Sequence, residues 1–291
     1  MVSLETKASQ LIAEAEKKLT PFSIFNIFFN KSGKYEQAGE CYQRAANLLK
    51  GSKNWPKAAA CFARCAEIHQ EINNQYDAAL NFSQAASCYK KCDSRTAIAC
   101  LEKAIEVLTD IGRFSMAAKH HQTIAEIYEL QLLDVKNAVC HFEQASEYFR
   151  MEDNNVSAEA CLLKVAHYSA IFEDYQKAIE IYQQVALVHI GATLLRYNVQ
   201  VYLFKAALCH LCADLLSGKH VIRKYVELFP MFEDTVEGRF LAEIVDRIDE
   251  DDLNGFLVVR LDFTSKFRCD ELIVTLLVRI EKILCNGVDL L

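Results

Sequence analysis

A helical pattern of apolar and polar positions recurs eight times along the first two thirds of the chain. When the copies are aligned, a small or aliphatic residue stands three and four positions after nearly every start, and a large apolar residue usually stands at position +7. These positions share one face of an α-helix, because 3.6 residues make a turn. Each copy therefore predicts one helix with a single apolar face. The starting residues are Tyr35, Trp55, Tyr76, Ser94, Phe114, Val135, Val156 and Tyr175.

Consecutive starts lie 18 to 21 positions apart, which leaves room for a helix of about four turns and a short connection. Two such helices make a unit of about 40 residues, a period typical of helical solenoids. The order aromatic, small, small, aromatic resembles the first helix of a tetratricopeptide repeat, although the period is longer and no proline closes each repeat. We therefore predict an all-α, tetratricopeptide-like fold in which antiparallel helical hairpins form a twisted sheet.

A strongly amphipathic helix is predicted near the end of the chain, and Asn286 and Gly287 end it. We expect it to pack on the helices of residues 196–247 as part of a C-terminal helical bundle. The predicted domains are residues 1–215, the helical-hairpin sheet with an apolar loop near 21–29, and residues 216–291, the bundle with an acidic patch and a short tail. The apolar positions of the final helix are Leu272, Ile273, Leu276, Leu277, Ile280, Ile283 and Leu284.

The composition agrees with a helical protein. Only 3 prolines and 9 glycines occur in 291 residues, so the turn residues that β-hairpins need are scarce. With 52% apolar residues the chain can bury a substantial core. There is no uninterrupted run of 18 apolar residues, and residues 1–20 lack a signal-peptide pattern. We therefore expect a cytoplasmic protein.

Twelve cysteines raise the question of metal or redox chemistry. Most of those in the repeats occupy positions that other copies fill with alanine or valine, where cysteine acts as a small apolar residue. Cys209 and Cys212 form a Cys-x-x-Cys pair, but no predicted strand precedes it, and the sequence has no second such pair to complete a metal site. Because phosphate-binding loops, nucleophile elbows and paired catalytic carboxylates are also missing, we expect no enzyme, no cofactor and no metal. The repeat cysteines are Cys41, Cys61, Cys65, Cys88, Cys100, Cys140 and Cys161.

An apolar segment, Pro21–Phe29, interrupts the helical pattern before its first copy. It holds two isoleucines and four phenylalanines, an unusual content for a connection. One interpretation is that the segment folds back on the first helices; the other is an exposed loop for a membrane or a partner. Each phenylalanine moved out of water contributes roughly 1.5–3 kcal/mol, which favours weak, reversible membrane attachment. The four residues are Phe22, Phe25, Phe28 and Phe29.

An acidic patch lies between Glu233 and Gly255. Nine acidic residues and two arginines give it a charge of −7, which equals the net charge of the whole chain, so the remaining residues sum to zero. The patch is either a solvated helix end or a docking surface for a basic partner. Nucleic acid is disfavoured as a partner, because binding it requires the opposite charge.

Short runs along nearly the whole chain match those of a known family in the same order, and the region after about Thr235 matches more weakly. These runs are Ala13–Glu16, Arg44–Asn47, Lys53–Trp55, Gly112–Phe114, Ala117–His121, Ile124–Glu129, Cys161–Ala166, Tyr175–Ile179 and Phe204–His210. Through these runs the chain resembles the soluble NSF attachment protein (SNAP) family, of the α/β type.

The resemblance implies a function in vesicle-mediated transport. Members of this family are non-enzymatic adaptors that wrap the four-helix SNARE bundle, formed by syntaxin-type complexes, and present it to the hexameric NSF ATPase for disassembly. The phenylalanine segment is similar to the family's membrane-attachment loop. The resemblance therefore implies a protein peripheral to the cytosolic face of membranes. A tetratricopeptide-like scaffold that holds the peptide tail of an unrelated client is the alternative; it leaves the apolar segment and the acidic patch unassigned.

The resemblance also implies which residues meet the SNARE bundle. Family members use basic residues on one face, and Lys90, Arg113 and Lys119 match them. Two further basic positions are occupied here by Ala160 and Gln200. Lys164 follows Ala160 by one helical turn and is expected near the same face, whereas Lys205 follows Gln200 by five residues and points elsewhere. The resemblance thus predicts a weaker or altered SNARE contact.

The ATPase-binding positions of the family are acidic, and a leucine near the C-terminus stimulates the ATPase. Leu290 matches that leucine, but Asp289 alone remains of the acidic run before it. This difference predicts that binding survives while stimulation is reduced. The acidic positions are retained as Asp214, Asp246, Asp249 and Glu250.

Overall fold

The structure is a computed structural model that describes residues 3–20, 31–192 and 195–288. The described residues form fourteen α-helices and no β-strand, which confirms the predicted all-α fold of helical hairpins. None of these helices is long and apolar enough to cross a membrane. The helices are α1 Leu4–Leu19, α2 Lys31–Gly51, α3 Trp55–Glu71, α4 Gln75–Tyr89, α5 Ser94–Asp110, α6 Phe114–Ile127, α7 Val135–Met151, α8 Asn155–Ile171, α9 Tyr175–Gly191, α10 Val199–Ala213, α11 Leu215–Leu228, α12 Val236–Asp249, α13 Leu253–Lys266 and α14 Glu271–Val288.

The chain divides into two compact units, residues 1–161 and 162–291, with the division inside α8. This is a division by packing. The domain boundary expected after residue 215 rests on a change in sequence pattern, and it stays a prediction.

In the first unit each helix from α1 to α6 packs on the next one along the chain. Successive helices are antiparallel: Glu5, at the start of α1, accepts a 2.9 Å hydrogen bond from the Asn54 side chain before α3, and Lys18, near the end of α1, donates to Gln37 in α2. Helices two apart in the chain therefore run in the same direction.

Most of the short connections contain one residue in the left-handed conformation. The next residue then bonds back to the preceding helix and begins the following one. In the turn after α3, Asn73 has a φ of 60°, and the amide of Asn74 donates a 2.8 Å hydrogen bond to the carbonyl oxygen of His69. This six-to-one bond satisfies one of the last carbonyls of the helix. Equivalent left-handed residues are Lys53, Gly112, Leu133, Asp153 and Glu173.

Each helix from α3 to α9 has one buried alanine at the same position of the repeat. When every helix is counted from its first residue, position +3 is alanine in all seven helices from α3 to α9, and each of these side chains is at most 2% exposed. The copies that start at Tyr76 and Val156 in the sequence alignment are one residue out of register with the helices, because α4 begins at Gln75 and α8 at Asn155. Tyr76 and Val156 therefore leave the buried face and are 48% and 82% exposed. The seven alanines are Ala58, Ala78, Ala97, Ala117, Ala138, Ala158 and Ala178.

In the second unit α10 is the central helix, and it packs against α9, α11, α12 and α14. Three phenylalanines from α10, α12 and α13 fill the space beneath it. The rings of Phe240 and Phe263 stack with their centroids 4.0 Å apart, and Phe204 lies within 6 Å of both, at 5.9 and 5.8 Å. The predicted packing of the final helix on earlier helices is found between α14 and α10.

Candidate interaction surfaces

The three basic positions of the first unit are spread along it. Lys90 caps the C-terminal end of α4, and Arg113 immediately precedes α6. Lys90 lies just before α5 and Arg113 lies just after it. Because α5 has 17 residues, the two side chains are separated by about 25 Å along the helix axes. Lys119 lies between those two levels, exposed in the middle of α6. These three positions, called the basic surface below, thus extend along the length of a helix.

The helix that carries Arg113 and Lys119 is fixed on α7 by a ladder of stacked rings. Ring-bearing side chains occur every seven residues along α6 and the π-helical turn that follows it. They alternate in space with two ring-bearing side chains of α7. His121 stacks on Tyr148 at 5.4 Å and lies 5.3 Å from His141. Such regular contacts hold α6 in one rotation about its axis. The order along the ladder is Phe114, Tyr148, His121, His141 and Tyr128.

The two histidines of the ladder share one proton. Their Nδ1 atoms are 3.0 Å apart, so one of them donates and the other accepts. Burial, reinforced by the neighbouring His141, lowers the pKa of His121 to about 4. Both rings are therefore neutral near pH 7, and they add no charge to the basic surface.

In the second unit Lys164 is exposed on α8, one turn after the exposed Ala160. Lys205 is engaged within the fold, since its Nζ lies 2.6 Å from Oδ2 of Asp270 and its side chain is 15% exposed. Asp270 also accepts a hydrogen bond from the amide of Ile273 at the start of α14. Burial alone would raise the pKa of Asp270, but the bonds from Lys205 and Ile273 outweigh it and lower the pKa. Lys205 is thus a structural cation.

The structure brings most of the acidic candidate positions to one end of the second unit. Asp214 precedes α11, Lys219 lies one turn into that helix, and Lys219 forms an ion pair with Asp249 at the end of α12. Glu250 follows directly and pairs with Arg247 at 2.7 Å. Asp246 is exposed one turn earlier on α12 and makes no ion pair with any residue that the structure describes. These carboxylates thus lie at one end of the second unit, where Asp249 and Glu250 are each paired with a cation.

Asp214 has a second role that the sequence did not indicate. Its carboxylate accepts hydrogen bonds from the amides of Leu216 and Ser217 at 3.2 and 3.0 Å, so it caps the N-terminus of α11. The hydrogen bond from the Ser217 side chain is the main cause of the lowered pKa of Asp214. Removing this residue therefore disturbs both the surface charge and the helix.

A partly apolar groove of about 430 Å³ opens at the same end of the second unit. It lies between the start of α11, the turn from α12 to α13 and the later part of α14. Leu216 at its edge is 74% exposed, and Lys219 and Arg247 also line it. Sequence reasoning missed this groove because its walls come from segments up to about 70 residues apart, and no local pattern signals such a meeting.

The Cys209–Cys212 pair lies in the core of the second unit. The Sγ of Cys212 donates to the carbonyl oxygen of Leu276 at 3.4 Å, and burial raises the pKa of Cys212 to about 12. Burial also raises the pKa of Cys209. Neither thiol ionises readily, which disfavours a nucleophilic or redox role. Across residues 3–20, 31–192 and 195–288, no three His, Cys, Asp or Glu side chains are grouped to hold a metal ion.

The candidate membrane residues Phe22, Phe25, Phe28 and Phe29 lie outside the described residues, as does Leu290. Their roles stay predictions. The structure does describe the helices on either side of this segment, α1 and α2. Because α2 and α6 run in the same direction, the start of α2 lies at the same end of the first unit as Arg113, which precedes α6. The end of α1 lies there too, since α1 is antiparallel to α2.

The chain was compared with known proteins. The family model described as soluble NSF attachment protein, SNAP, matches residues 6–284. The chain is 43% identical to the alpha-soluble NSF attachment protein of Homo sapiens, over 96% of this chain and 95% of that one. It is 43% identical to the beta-soluble NSF attachment protein of Bos taurus, over 96% and 94% of the two chains. The vesicular-fusion protein SEC17 of Komagataella phaffii is 32% identical over 98% of each chain.

Proposed function

The chain belongs to the soluble NSF attachment protein family, and on that premise we propose which of its surfaces bind the family's partners. It is an adaptor that acts with the NSF ATPase in the disassembly of SNARE complexes, and so in vesicle fusion and transport. The observation that carries this conclusion is the 43% identity over 96% of the chain. The alternative of a scaffold for an unrelated client loses its support.

The SNARE four-helix bundle, of syntaxin-type complexes, lies along the basic surface of the first unit. Lys90, Arg113 and Lys119 contact its acidic exterior at three levels, and Lys164 is a further contact residue. The spacing supports this assignment, because about 25 Å between Lys90 and Arg113 spans several turns of a partner helix. Each exposed ion pair contributes only about 0.2–1 kcal/mol, so binding needs several pairs at once.

The acidic end of the second unit engages the ATPase. Asp214, Asp246, Asp249 and Glu250 attract a basic surface and speed its encounter. Leu290 follows α14, whose later part reaches this end of the unit at Ile283 and Leu284. The position of Ile283 and Leu284, a few residues before Leu290 in the sequence, supports a joint role for the carboxylates and the C-terminal leucine in stimulating the ATPase.

The mechanism is electrostatic and mechanical, and we propose that the chain itself catalyses no reaction. Packed helices deform little, so the array transmits the force of the ATPase to the SNARE bundle. We further propose that the protein works in the cytoplasm and attaches peripherally to the cytosolic face of membranes through Phe22, Phe25, Phe28 and Phe29. Its binding would then combine a weak membrane contact with the protein contacts.

A SNARE pull-down across a salt series tests the basic surface. Binding should fall steeply between about 50 and 500 mM salt, because exposed charges are screened. The double variant Arg113→Ala/Lys119→Ala should lose most of the binding at low salt. Lys57→Ala is the matched control, since Lys57 is equally exposed on α3. Binding that is indifferent to salt and to both substitutions would exclude this surface.

A further inference from the structure

Three large apolar side chains stand exposed within helices on the side of the first unit that carries Lys119. They are Tyr76 and Leu80 on α4, which are 48% and 37% exposed, and Val156 on α8, which is 82% exposed. Isolated apolar residues are common on protein surfaces and need no explanation by themselves. What distinguishes these three is their position in the repeat.

The helix register places them in two rows. Counted from the first residue of each helix, position +5 is Leu80 in α4, Lys119 in α6 and Ala160 in α8, and all three are exposed. Position +1 is Tyr76, Ser115 and Val156 in the same helices. Equivalent positions in successive two-helix repeats face the same side of a helical array. The apolar side chains and Lys119 therefore belong to one surface.

The opposite set of helices has a different surface. Among the residues that the structure describes, α3 and α5 have no exposed large apolar side chain, and α7 has one at its last residue, Met151. Their exposed positions are instead rich in charges, as solvated helix faces normally are. These charges are Lys57, Arg64 and Glu71 on α3, Arg95, Glu102, Lys103 and Glu106 on α5, and Lys136, Glu147 and Arg150 on α7.

We infer that Tyr76, Leu80 and Val156 are apolar contacts for the same helical bundle that Lys119 binds. The inference rests on the proposed function and names a second kind of interaction at that surface. The observation that commits the surface to this partner is its continuity with the basic positions: Lys119 stands between Leu80 and Ala160 in the row, and Arg113 immediately precedes the same helix.

The chemistry of the partner follows from these side chains. An aromatic ring, a leucine and a valine gain from contact with aliphatic groups, and they gain nothing from carboxylates. The bundles that this chain prefers should therefore carry aliphatic side chains on their exterior, opposite α4 and the start of α8, and acidic ones opposite α6. Apolar contact is not screened by salt, so it should leave a residual affinity where ion pairs have failed.

Titration of a purified SNARE bundle at about 100 and about 500 mM salt tests this inference. The variant Tyr76→Ser/Leu80→Ser/Val156→Ser should lower the affinity about tenfold at both salt concentrations, because it removes apolar contact without changing charge. Lys119→Gln should lower it chiefly at low salt. Leu130→Ser is the matched apolar control, since Leu130 is 71% exposed at the turn after α6. Thermal unfolding of each variant checks that the fold is kept.

The outcomes separate the two proposals. If the triple variant binds like the parent while Lys119→Gln binds weakly, the apolar inference is wrong and the basic surface stands. If neither change affects binding, the proposed surface itself is wrong. If the triple variant alters only the self-association of this chain in sedimentation, a second copy covers the apolar side chains, and the inference is overturned.

Discussion

Arg279 in α14 donates a 2.7 Å hydrogen bond to the carbonyl oxygen of Ala170 at the end of α8. Its other terminal nitrogen donates to the carbonyl oxygen of Ile171, also at 2.7 Å, and lies 3.4 Å from a carboxylate oxygen of Glu173. The guanidinium thus satisfies two carbonyls at the negative end of a helix with one planar group. It joins the final helix to the hairpin that opens the second unit.

Replacing Arg279 by leucine should lower the free energy of unfolding by about 2–3 kcal/mol, because two charge-assisted hydrogen bonds disappear together. Arg279→Lys should recover only part of the loss, since an ammonium group cannot reproduce the planar fork. Urea unfolding measures both. Arg223→Leu, at an exposed position of α11, is the control and should change little. Equal effects at the two sites would contradict the structural role of Arg279.

The turn residues give a second prediction. Gly112 has a φ of 68°, and a Cβ added there meets no atom within 4 Å. A substitution at this position is therefore disfavoured by the backbone conformation and not by a steric clash. Gly112→Ala should therefore destabilise the protein by about 1 kcal/mol. Gly51→Ala, at an open helical position without positive φ, should be stabilising by about 0.5–1 kcal/mol. A neutral Gly112→Ala in urea unfolding would refute the left-handed turn.

The burial of His121, reinforced by the neighbouring His141, makes the first unit sensitive to acid because it lowers the pKa of His121. Because the pKa of His121 is lowered from 6.5 to about 4, the unfolded state binds more protons between these values. Stability should fall as pH decreases from about 6.5 towards 4, by up to about 2–3 kcal/mol from this group. Unfolding free energies measured at intervals of pH test the prediction.

His121→Phe keeps a ring in the ladder but cannot take up a proton, so it should flatten the fall in stability across that range. His220→Phe, at an exposed position of α11, is the control. An unchanged pH profile in His121→Phe would show that this histidine pair does not cause the sensitivity.

Asp214 requires a test that separates capping from docking. Serine caps a helix N-terminus without a charge, so Asp214→Ser should keep the unfolding midpoint near that of the parent. The same variant should weaken binding to the ATPase, whereas Asp214→Ala should impair both properties. Thermal unfolding and ATPase binding, measured on both variants, distinguish the roles. If Asp214→Ser binds like the parent, the residue is only a cap.

The helical fold could be predicted from the sequence because apolar periodicity is a local property. The exact register of α4 and α8 could not, since Tyr76 and Val156 next to the helix starts look like core residues. The buried alanine three positions after each start, such as Ala158, is the more reliable marker. The turns could not be predicted from the positions of glycines, because Lys53 and Leu133 adopt the same left-handed conformation as Gly112.

Charge alone indicated the acidic patch between Glu233 and Gly255, whereas the basic positions were predictable only because the family resemblance supplied them. Nothing local in the sequence indicates that Lys205 pairs with Asp270, 65 residues later, or that Asp214 caps a helix. Such contacts depend on tertiary packing, and they decide which charged residues remain available to a partner.

Disassembly of a SNARE complex by the NSF ATPase, with and without this protein, tests the central claim most directly. We predict that disassembly requires the protein, and that Arg113→Ala/Lys119→Ala slows it while Lys57→Ala does not. Because Asp289 alone remains of the acidic run before Leu290, this protein should be a weaker stimulator than a relative with the full acidic run. Disassembly that proceeds equally well without the protein, or with the double variant, would contradict the adaptor function through this surface.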